Sequence, residues 1–191
     1  KKAALPRPAK LKTKLGEFNA TVFGDIGSVK DAKGVTHDYL VMVDEGVDWC
    51  TCVMIDGHSA GDLYKAIEES WINFAGPPDL FVADGERGFS SEELAGNLAK
   101  AGTMYVPTAA YAPWQKGKVE RKIESVKSII RKSVLHCGAE GKPEMRIAGF
   151  EAANALNQRP GTTGVSPAMM LFGQRLKMYG ELYVGDGGEP I

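Results

Sequence analysis

Cysteine is scarce in this chain of 191 residues, which has three thiols: Cys50, Cys52 and Cys137. An odd number, with two of the three in one short segment, argues against a disulfide framework and favours reduced side chains in a cytosolic or nuclear setting. The three cysteines and three histidines include no Cys-x-x-Cys or His-x-x-x-His pair, so a structural zinc site is not expected. The adjacency of His136 and Cys137 does not establish a thiol nucleophile either, because neighbours in sequence need not be in contact.

Long apolar runs are lacking as well. No stretch approaches the ~20 apolar residues of a membrane-spanning helix, and the basic, proline-containing start has no apolar segment typical of a secretory signal. We therefore expect an intracellular protein without a membrane partner, nuclear in a eukaryote and cytoplasmic otherwise. The apolar fraction of 43% and the charged fraction of 25% are those of an ordinary globular domain. A Gly-rich phosphate-binding loop is also absent from the sequence.

A basic excess is missing too. The formal net charge is −1 and the pI is about 6.4, whereas a protein that binds nucleic acid mainly through phosphates is usually basic. The charge is unevenly distributed, because residues 1–14 carry six basic side chains and no acidic one, and residues 116–132 carry seven basic and two acidic ones. The second segment is compatible with a solvated helix face or with a DNA-binding ridge.

Three acidic residues lie at predicted ends of secondary-structure elements. Asp25 is near the end of a β-branched and aromatic run that predicts a strand over residues 20–27, and Asp84 closes a second such run. Glu120 follows Asp84 after 35 intervening residues, in the first turn of a helix predicted after a loop containing proline and glycine. Two strand ends and one helix start can meet at one edge of a sheet. Converging carboxylates are ligands that Mg²⁺ or Mn²⁺ prefers in phosphoryl-transfer sites.

Further motifs surround these acids. They are Phe89-Ser90-Ser91 after the second aspartate, Pro113-x-x-x-Gly117-x-x-Glu120-Arg121, and Asn157-x-x-x-Gly161-x-x-Gly164-x-Ser166-Pro167-x-x-x-Leu171-Phe172-Gly173. Together with the spacing of the three acids, they make residues 18–178 resemble the catalytic core of a retroviral or LTR-retrotransposon integrase of the DDE family. The sequence departs from that pattern at residues 84–89, Asp-Gly-Glu-Arg-Gly-Phe, where Asp-Asn-Gly-x-Glu-Phe is usual. It also departs at Trp114, where a small or amide residue is more usual.

The resemblance implies an α/β fold of the RNase H-like type, with a five-stranded mixed sheet flanked by helices. It implies DNA strand transfer in which Asp25, Asp84 and Glu120 hold two Mg²⁺ or Mn²⁺ ions, with DNA and a homo-oligomeric assembly as partners. Basic residues and one aromatic residue around Glu120 are the expected DNA contacts: Lys116, Lys118, Lys127 and Trp114. The Trp114 indole either stacks on an unpaired base or caps the core, and the sequence leaves both roles open.

The order of predicted elements agrees with one catalytic core. Residues 1–18 are predicted to be a basic linker, 19–178 the core and 179–191 a flexible tail. Strands are predicted near residues 20–27, 38–44, 49–55, 79–84 and 103–106, and helices over residues 59–74, 90–100, 144–158 and 166–172, besides the helix that contains Glu120. Asp44 also ends a predicted strand. We interpret it as a turn residue, because the resemblance pairs its strand with the one that carries Asp25.

Burial is predicted at two sets of residues. Large aromatic residues are usually part of a core, and those expected there are Trp49, Trp71 and Phe74. The helix that contains Glu120 has apolar residues at the three-and-four spacing of a buried stripe: Val119, Ile123, Val126, Ile130 and Val134.

Two other functions remain open. A bacterial insertion-sequence transposase would share the fold and the three acids, and flanking sequence would distinguish it. A catalytically inert DNA-binding or assembly module derived from a retroelement is suggested by the altered segment after Asp84 and by the acidic balance outside residues 1–14.

Overall fold

A five-stranded mixed sheet organises the chain in this computed structural model. The structure describes residues 17–84, 88–108, 113–161 and 164–177, with all of their side chains except those of residues 113–116, 118 and 119. The strands are β1 (Thr21–Lys30), β2 (Thr36–Asp44), β3 (Cys50–Ile55), β4 (Leu80–Ala83) and β5 (Met104–Pro107). Their order is β3-β2-β1-β4-β5. The first three are antiparallel neighbours, whereas β4 runs parallel to β1 and β5 runs parallel to β4. The predicted mixed sheet of five strands is therefore confirmed.

Helices cover both faces of the sheet. In chain order they are α1 (Ala60–Ile67), which continues into a π-helical segment (Glu68–Ile72) and the short α2 (Asn73–Ala75), then α3 (Glu92–Ala101), α4 (Pro113–Cys137), α5 (Gly141–Gln158) and α6 (Pro167–Phe172). Ser59, Ser91 and Ser166 are the N-caps of α1, α3 and α6. Each hydroxyl accepts a hydrogen bond from the backbone N–H three residues later, which satisfies a donor that the helix itself leaves unpaired.

Burial alternates along the central strands and divides the core into two layers. On β2, Tyr39 and Val41 belong to the layer formed with α4 and α5, whereas Leu40 and Met42 belong to the layer formed with α1 and α3. A sheet covered on both faces is apolar on both sides of its central strands. In the first layer, α4 packs against β1.

Helix α4 begins earlier than the sequence predicts. The chain is helical from Pro113, so Glu120 lies in the third turn and not in the first, and the proline and glycine assigned to a loop belong to the helix. Proline is favoured at the first helical position because no N–H donor is needed there, and an isolated glycine such as Gly117 costs a helix only ~1 kcal/mol. The stripe predicted on α4 is buried at three positions, Ile123, Val126 and Ile130, and partly buried at Val134; the side chain of Val119 is outside the described residues.

Phe74 is not buried as its helical spacing predicts. Trp49 and Trp71 lie in the core, but Phe74 is 47% exposed. The π-helical segment has more residues per turn than an α-helix, and this changes the direction of the side chains that follow it. The Phe74 ring instead packs near the surface, with centroids 5.9 Å from Trp49 and 6.0 Å from Phe172.

One buried carboxylate anchors the β1–β2 hairpin to the start of α5. Asp31 accepts hydrogen bonds from three backbone N–H groups, those of Lys33 (2.9 Å), Val35 (2.9 Å) and Gly141 (3.1 Å). A fourth contact joins Asp31 Oδ2 to His37 Nε2 at 3.0 Å. The hydrogen bond with His37, aided by those from the backbone, holds the pKa of Asp31 well below its usual range, although burial acts in the opposite direction.

Asn157, the first residue of the downstream motif, ties α5 to the outer strand β3. Its buried side chain pairs with both backbone groups of Cys50, because Oδ1 accepts from the N–H at 2.8 Å and Nδ2 donates to the carbonyl at 2.7 Å. Losing the amide would leave two buried backbone groups without these partners.

We predict that Asp31→Asn makes the free energy of unfolding less dependent on pH in the acidic range. A carboxyl group whose pKa is lowered by folding contributes stability above its unfolded pKa of about 4 and loses it as the pH falls toward the lower folded value. Asp31→Asn should therefore be less stable than the wild type at about pH 7, and this deficit should shrink below about pH 4. Urea unfolding across this pH range measures it, with the exposed Asp79→Asn as control. A deficit of constant size at all pH values would contradict the prediction.

A second prediction concerns Asn157→Ala. The substitution should lower the free energy of unfolding by about 2–6 kcal/mol, because each of two buried backbone groups left unpaired costs about 1–3 kcal/mol. Urea denaturation monitored by circular dichroism measures the change. Asn73→Ala removes the same group from an exposed position and should change stability by less than about 0.5 kcal/mol. Equal effects of the two substitutions would show that the Cys50 pairing does not stabilise the fold.

Candidate active site

The parallel pairing of β1 with β4 sets two of the predicted metal ligands side by side. Gly24 and Ala83 are partners in this pairing, and the next residues along the two strands are Asp25 and Asp84. Strand β4 ends at Ala83, whereas β1 continues beside β2 to Lys30. Asp25 therefore lies in the middle of β1, and not near its end as predicted, at the point where β4 stops. Both aspartates consequently lie at the edge of the sheet that is formed where β4 ends.

Glu120 is brought to this edge by α4. Ile123, three residues after Glu120 on the same helix, is buried in the layer between α4 and the sheet, so the helix is held close to β1. Asp25, Asp84 and Glu120 line one cavity of about 100 Å³, which we call the carboxylate cavity. Thr108, just after β5, also lines it and was not identified from the sequence.

A larger cavity of about 350 Å³, which we call the basic cavity, adjoins the first. Asp25 and Asp84 line both cavities. On the side of α4, Lys127 and Arg131 line the basic cavity, and on the side of β1 it is lined by residues 26–28. The two cavities thus form one groove with carboxylates at one end and two cations at the other.

Glycine in β1 makes room for the predicted DNA contact Lys127. A Cβ atom on Gly27 would collide with Cε of Lys127, so the stem of that lysine lies directly across the strand. Its side chain is only 18% exposed, and Nζ lies 3.1 Å from Oε1 of Glu124. The structure therefore places Lys127 in the groove beside the aspartates.

A hydrogen-bonded chain next to the basic cavity was not identified from the sequence. Ser28 Oγ donates to Asp38 Oδ1 at 2.5 Å, and His58 Nε2 lies 3.0 Å from Asp38 Oδ2. Ser28 and Asp38 are partners in the β1–β2 pairing, whereas His58 follows β3. No local motif joins the three, since only the folded sheet brings them together. A Cβ atom on Gly88 would collide with the His58 carbonyl oxygen, so the backbone of Gly88 lies close against that of His58.

Three predicted DNA contacts cannot be placed in this groove. The side chains of Trp114, Lys116 and Lys118 lie outside the described residues, as do residues 85–87 of the altered motif. Their roles stay predictions from the sequence.

Asp44 is the last residue of β2, and its carboxylate accepts a hydrogen bond from within the turn that follows. It is buried and accepts hydrogen bonds from the backbone N–H of Asn19 at 2.8 Å and of Val47 at 2.7 Å. Burial raises the pKa of Asp44 above its ordinary value, and the backbone hydrogen bonds oppose this effect. Asp44 lines neither cavity.

The thiols do not provide a nucleophile for the groove. Cys50 and Cys52 are free and buried, and Cys137 is free and exposed. Burial raises the pKa of Cys50 to about 12, which leaves the thiol protonated near neutral pH.

The side chains of the groove offer donors that suit divalent metal ions. Within the described part of the chain, no three His, Cys, Asp or Glu side chains are already gathered into a metal-binding cluster. The three predicted ligands instead surround the carboxylate cavity and offer only oxygen donors. Hard cations such as Mg²⁺ prefer carboxylate and water oxygens, so the donor set fits these ions.

Among the described residues, no helix is long and apolar enough to cross a membrane.

Two retroviral polyproteins are similar to the chain in sequence. The Gag-Pol polyproteins of gibbon ape leukemia virus and koala retrovirus are 25% and 26% identical to it over 149 residues. Each match covers 78% of this chain but only 9% of the polyprotein, so the chain spans a small part of these relatives. No family model matches the chain.

Solved integrase structures share its architecture. The HTLV-2 integrase catalytic core domain in complex with magnesium, known in trimeric and dimeric forms, matches with a TM-score of 0.64 and 20% identity over 78% of this chain and 93% of that one. The catalytic core of BIV integrase matches with a TM-score of 0.64 and 17% identity over 81% and 95% of the two chains. A chain of the simian T-cell lymphotropic virus intasome, in complex with the PP2A regulatory subunit B56 gamma, matches with a TM-score of 0.70 and 17% identity over 86% and 58%.

The resemblance predicted from the sequence motifs is confirmed, and the chain has the RNase H-like fold of a retroviral integrase catalytic core.

Proposed function

We propose that this chain is the catalytic core of a metal-dependent DNA strand-transfer enzyme, the integrase of an LTR-type retroelement. The observation that carries the proposal is the groove, in which three carboxylates line one cavity and two cations of α4 line the adjoining one. Carboxylates suit divalent metal ions, and lysine and arginine suit phosphate oxygens. The fold shared with the HTLV-2 and BIV cores supports the same class of reaction.

Asp25, Asp84 and Glu120 are the proposed ligands of two Mg²⁺ or Mn²⁺ ions. Such ions, when bound, activate water or a terminal 3′-hydroxyl and stabilise the leaving 3′ oxygen of a phosphodiester during in-line displacement. The magnesium complex of the HTLV-2 core supports this choice of ion. The contribution of the chain is to fix the ligands, because the β1–β4 pairing sets the two aspartates and the packing of α4 sets Glu120. The resemblance implies that Asp84 would contribute to holding both ions.

A protein nucleophile is not part of the proposed reaction. The attacking group is water or a DNA 3′-hydroxyl, as the resemblance to integrases implies. Lys127 holds a phosphate near the aspartates, and Lys116, Lys118 and Trp114 are proposed as further DNA contacts on the evidence of the sequence alone.

The proposed partners are the DNA ends of an element, target DNA and further copies of this chain. The trimeric and dimeric forms of the HTLV-2 core and the intasome of the simian virus support assembly and DNA binding. We propose an intracellular location, nuclear in a eukaryote, because the reaction acts on genomic DNA.

A catalytically inert DNA-binding module is the second candidate. It is favoured by one observation, that the carboxylates of the described residues surround their cavity without forming a metal-binding cluster. Such a module would bind DNA through α4 without cutting it.

Glu120→Gln tests the proposed function, because it removes one charge while keeping the shape of the side chain. We expect nicking and joining of labelled DNA in Mg²⁺ or Mn²⁺ to fall by roughly 10³-fold, as a metal ligand supplies several kcal/mol of transition-state stabilisation. Calorimetry should show weaker Mn²⁺ binding in the same variant. The control Asp56→Asn removes an exposed carboxylate that lines neither cavity and should keep wild-type activity.

Two results would change the assignment. If Glu120→Gln cuts and joins DNA as well as the wild type, the three-carboxylate site is wrong. If the wild-type chain binds DNA but neither cuts nor joins it with either ion, the inert module becomes the better account.

A further inference from the structure

Lys127 and Arg131 share a carboxylate partner on their own helix. Oε1 of Glu124 lies 3.1 Å from Lys127 Nζ, and its Oε2 lies 3.9 Å from Arg131 Nη1. Both cations line the basic cavity, whereas Glu124 does not. Glu124 therefore holds the two cations from outside the cavity that they line.

These ion pairs are weakly held. The side chains of Glu124 and Arg131 are 62% and 53% exposed, whereas that of Lys127 is 18% exposed. The carboxylate that both cations share is therefore on the solvent side, where water and salt screen its ion pairs. An anion that binds more strongly inside the cavity can therefore replace Glu124 as the partner of both cations. A phosphodiester is such an anion, since its oxygens accept from the arginine fork and from the lysine ammonium.

The other polar groups of the cavity do not suit an anion. Ser28 donates its hydroxyl proton to Asp38, so its oxygen presents lone pairs to the cavity. Asp25 and Asp84, at the opposite end, are the proposed metal ligands and repel a phosphate unless cations are bound. An anion in this cavity is therefore positioned by Lys127 and Arg131.

We propose that the basic cavity is a subsite for a DNA phosphate next to the scissile one, and that Glu124 is an internal counter-ion which this phosphate displaces. The phosphate is held by Lys127 and Arg131 and lies on the β1 side of the two aspartates. Glu124 keeps both cations in place in the free protein and lowers the affinity of this part of α4 for DNA. This inference rests on the proposed function, because it requires that DNA enters the groove.

The main test is the affinity of a short labelled duplex, measured by fluorescence anisotropy in Mg²⁺ between about 50 and 200 mM salt. Arg131→Gln should weaken binding by roughly 3–10-fold and lower the slope of log Kd against log salt concentration by about 1, because one phosphate contact is lost. The matched control is Lys132→Gln, which removes the same charge from the next residue of α4, an exposed residue that lines neither cavity. Its effect should be clearly smaller.

Glu124→Gln tests the counter-ion and should act in the opposite direction. We expect binding to tighten by roughly 3–10-fold, because the competing carboxylate is gone. Glu69→Gln is the matched control, since Glu69 also faces a lysine of its own helical region, Lys65 at 3.8 Å. When both Lys127 and Arg131 are replaced by Gln, the gain from Glu124→Gln should shrink to that of Glu69→Gln, which separates direct displacement from a general charge effect.

Gly27→Ala is a second test of the same subsite. The added Cβ pushes the flexible end of Lys127 out of the groove without changing the net charge. We expect DNA binding to weaken about as much as in Lys127→Gln, with the same loss of salt dependence, while the urea unfolding midpoint stays close to that of the wild type.

Several outcomes would overturn the proposal. The subsite is wrong if Arg131→Gln and Lys132→Gln weaken binding equally, and the counter-ion role is wrong if Glu124→Gln gains no more than Glu69→Gln. Complete absence of DNA binding by the wild-type chain would instead remove the proposed function. The cavity is then tested by titrating inorganic phosphate and following the Nε–Hε NMR signal of Arg131, where a signal that does not move overturns the subsite as well.

Discussion

The parallel pairing of β1 with β4 is the constraint on which the site depends. It places Gly24 beside Ala83, and the residue after each is an aspartate. A shift of one residue in this pairing would separate the two carboxylates and turn the side chains of β4 to the opposite face of the sheet. Burial on both sides makes such a shift costly, since Phe81 and Val82 each belong to a different core layer. The cores thus determine where the three proposed metal ligands lie, and Phe23, Val82 and Ile123 of the core also line the carboxylate cavity.

Polar groups then fix the parts of the fold that the core does not. Asp31 ties the β1–β2 hairpin to α5, and Asn157 ties the other end of α5 to β3. These contacts orient α5, which packs against α4 within the layer that includes Ile123 and Val126. The position of Glu120 follows from that packing, because the carboxylate lies less than one turn before Ile123. The hydrogen bonds of Asp31 and Asn157 therefore support the position of Glu120 indirectly, by holding the helix against which α4 packs.

Local sequence patterns predicted the strands and helices. They did not predict the contacts between residues that are distant in the sequence. The strands that carry Asp25 and Asp84 were predicted from short β-branched runs, and the helix starts from serine caps. The predicted start of α4 was wrong because Pro113 suits the first helical turn as well as a loop. The Ser28–Asp38 hydrogen bond and the place of Arg131 in the basic cavity depend on register and packing between distant segments. No local signal in the sequence marks either one.

The distribution of charge reconciles a nearly neutral chain with the DNA substrate proposed for it. The groove is negative at the end lined by Asp25, Asp84 and Glu120 and positive at the end lined by Lys127 and Arg131. Two divalent ions, if held as proposed, would carry more positive charge than three carboxylates carry negative charge and would reverse the sign of the first end. Under the proposed function, DNA affinity therefore depends on metal ions and on a few cations of α4 more than on net charge. Under that proposal, net charge is a poor guide to DNA binding, because the charge of the groove would include metal ions that the sequence does not encode.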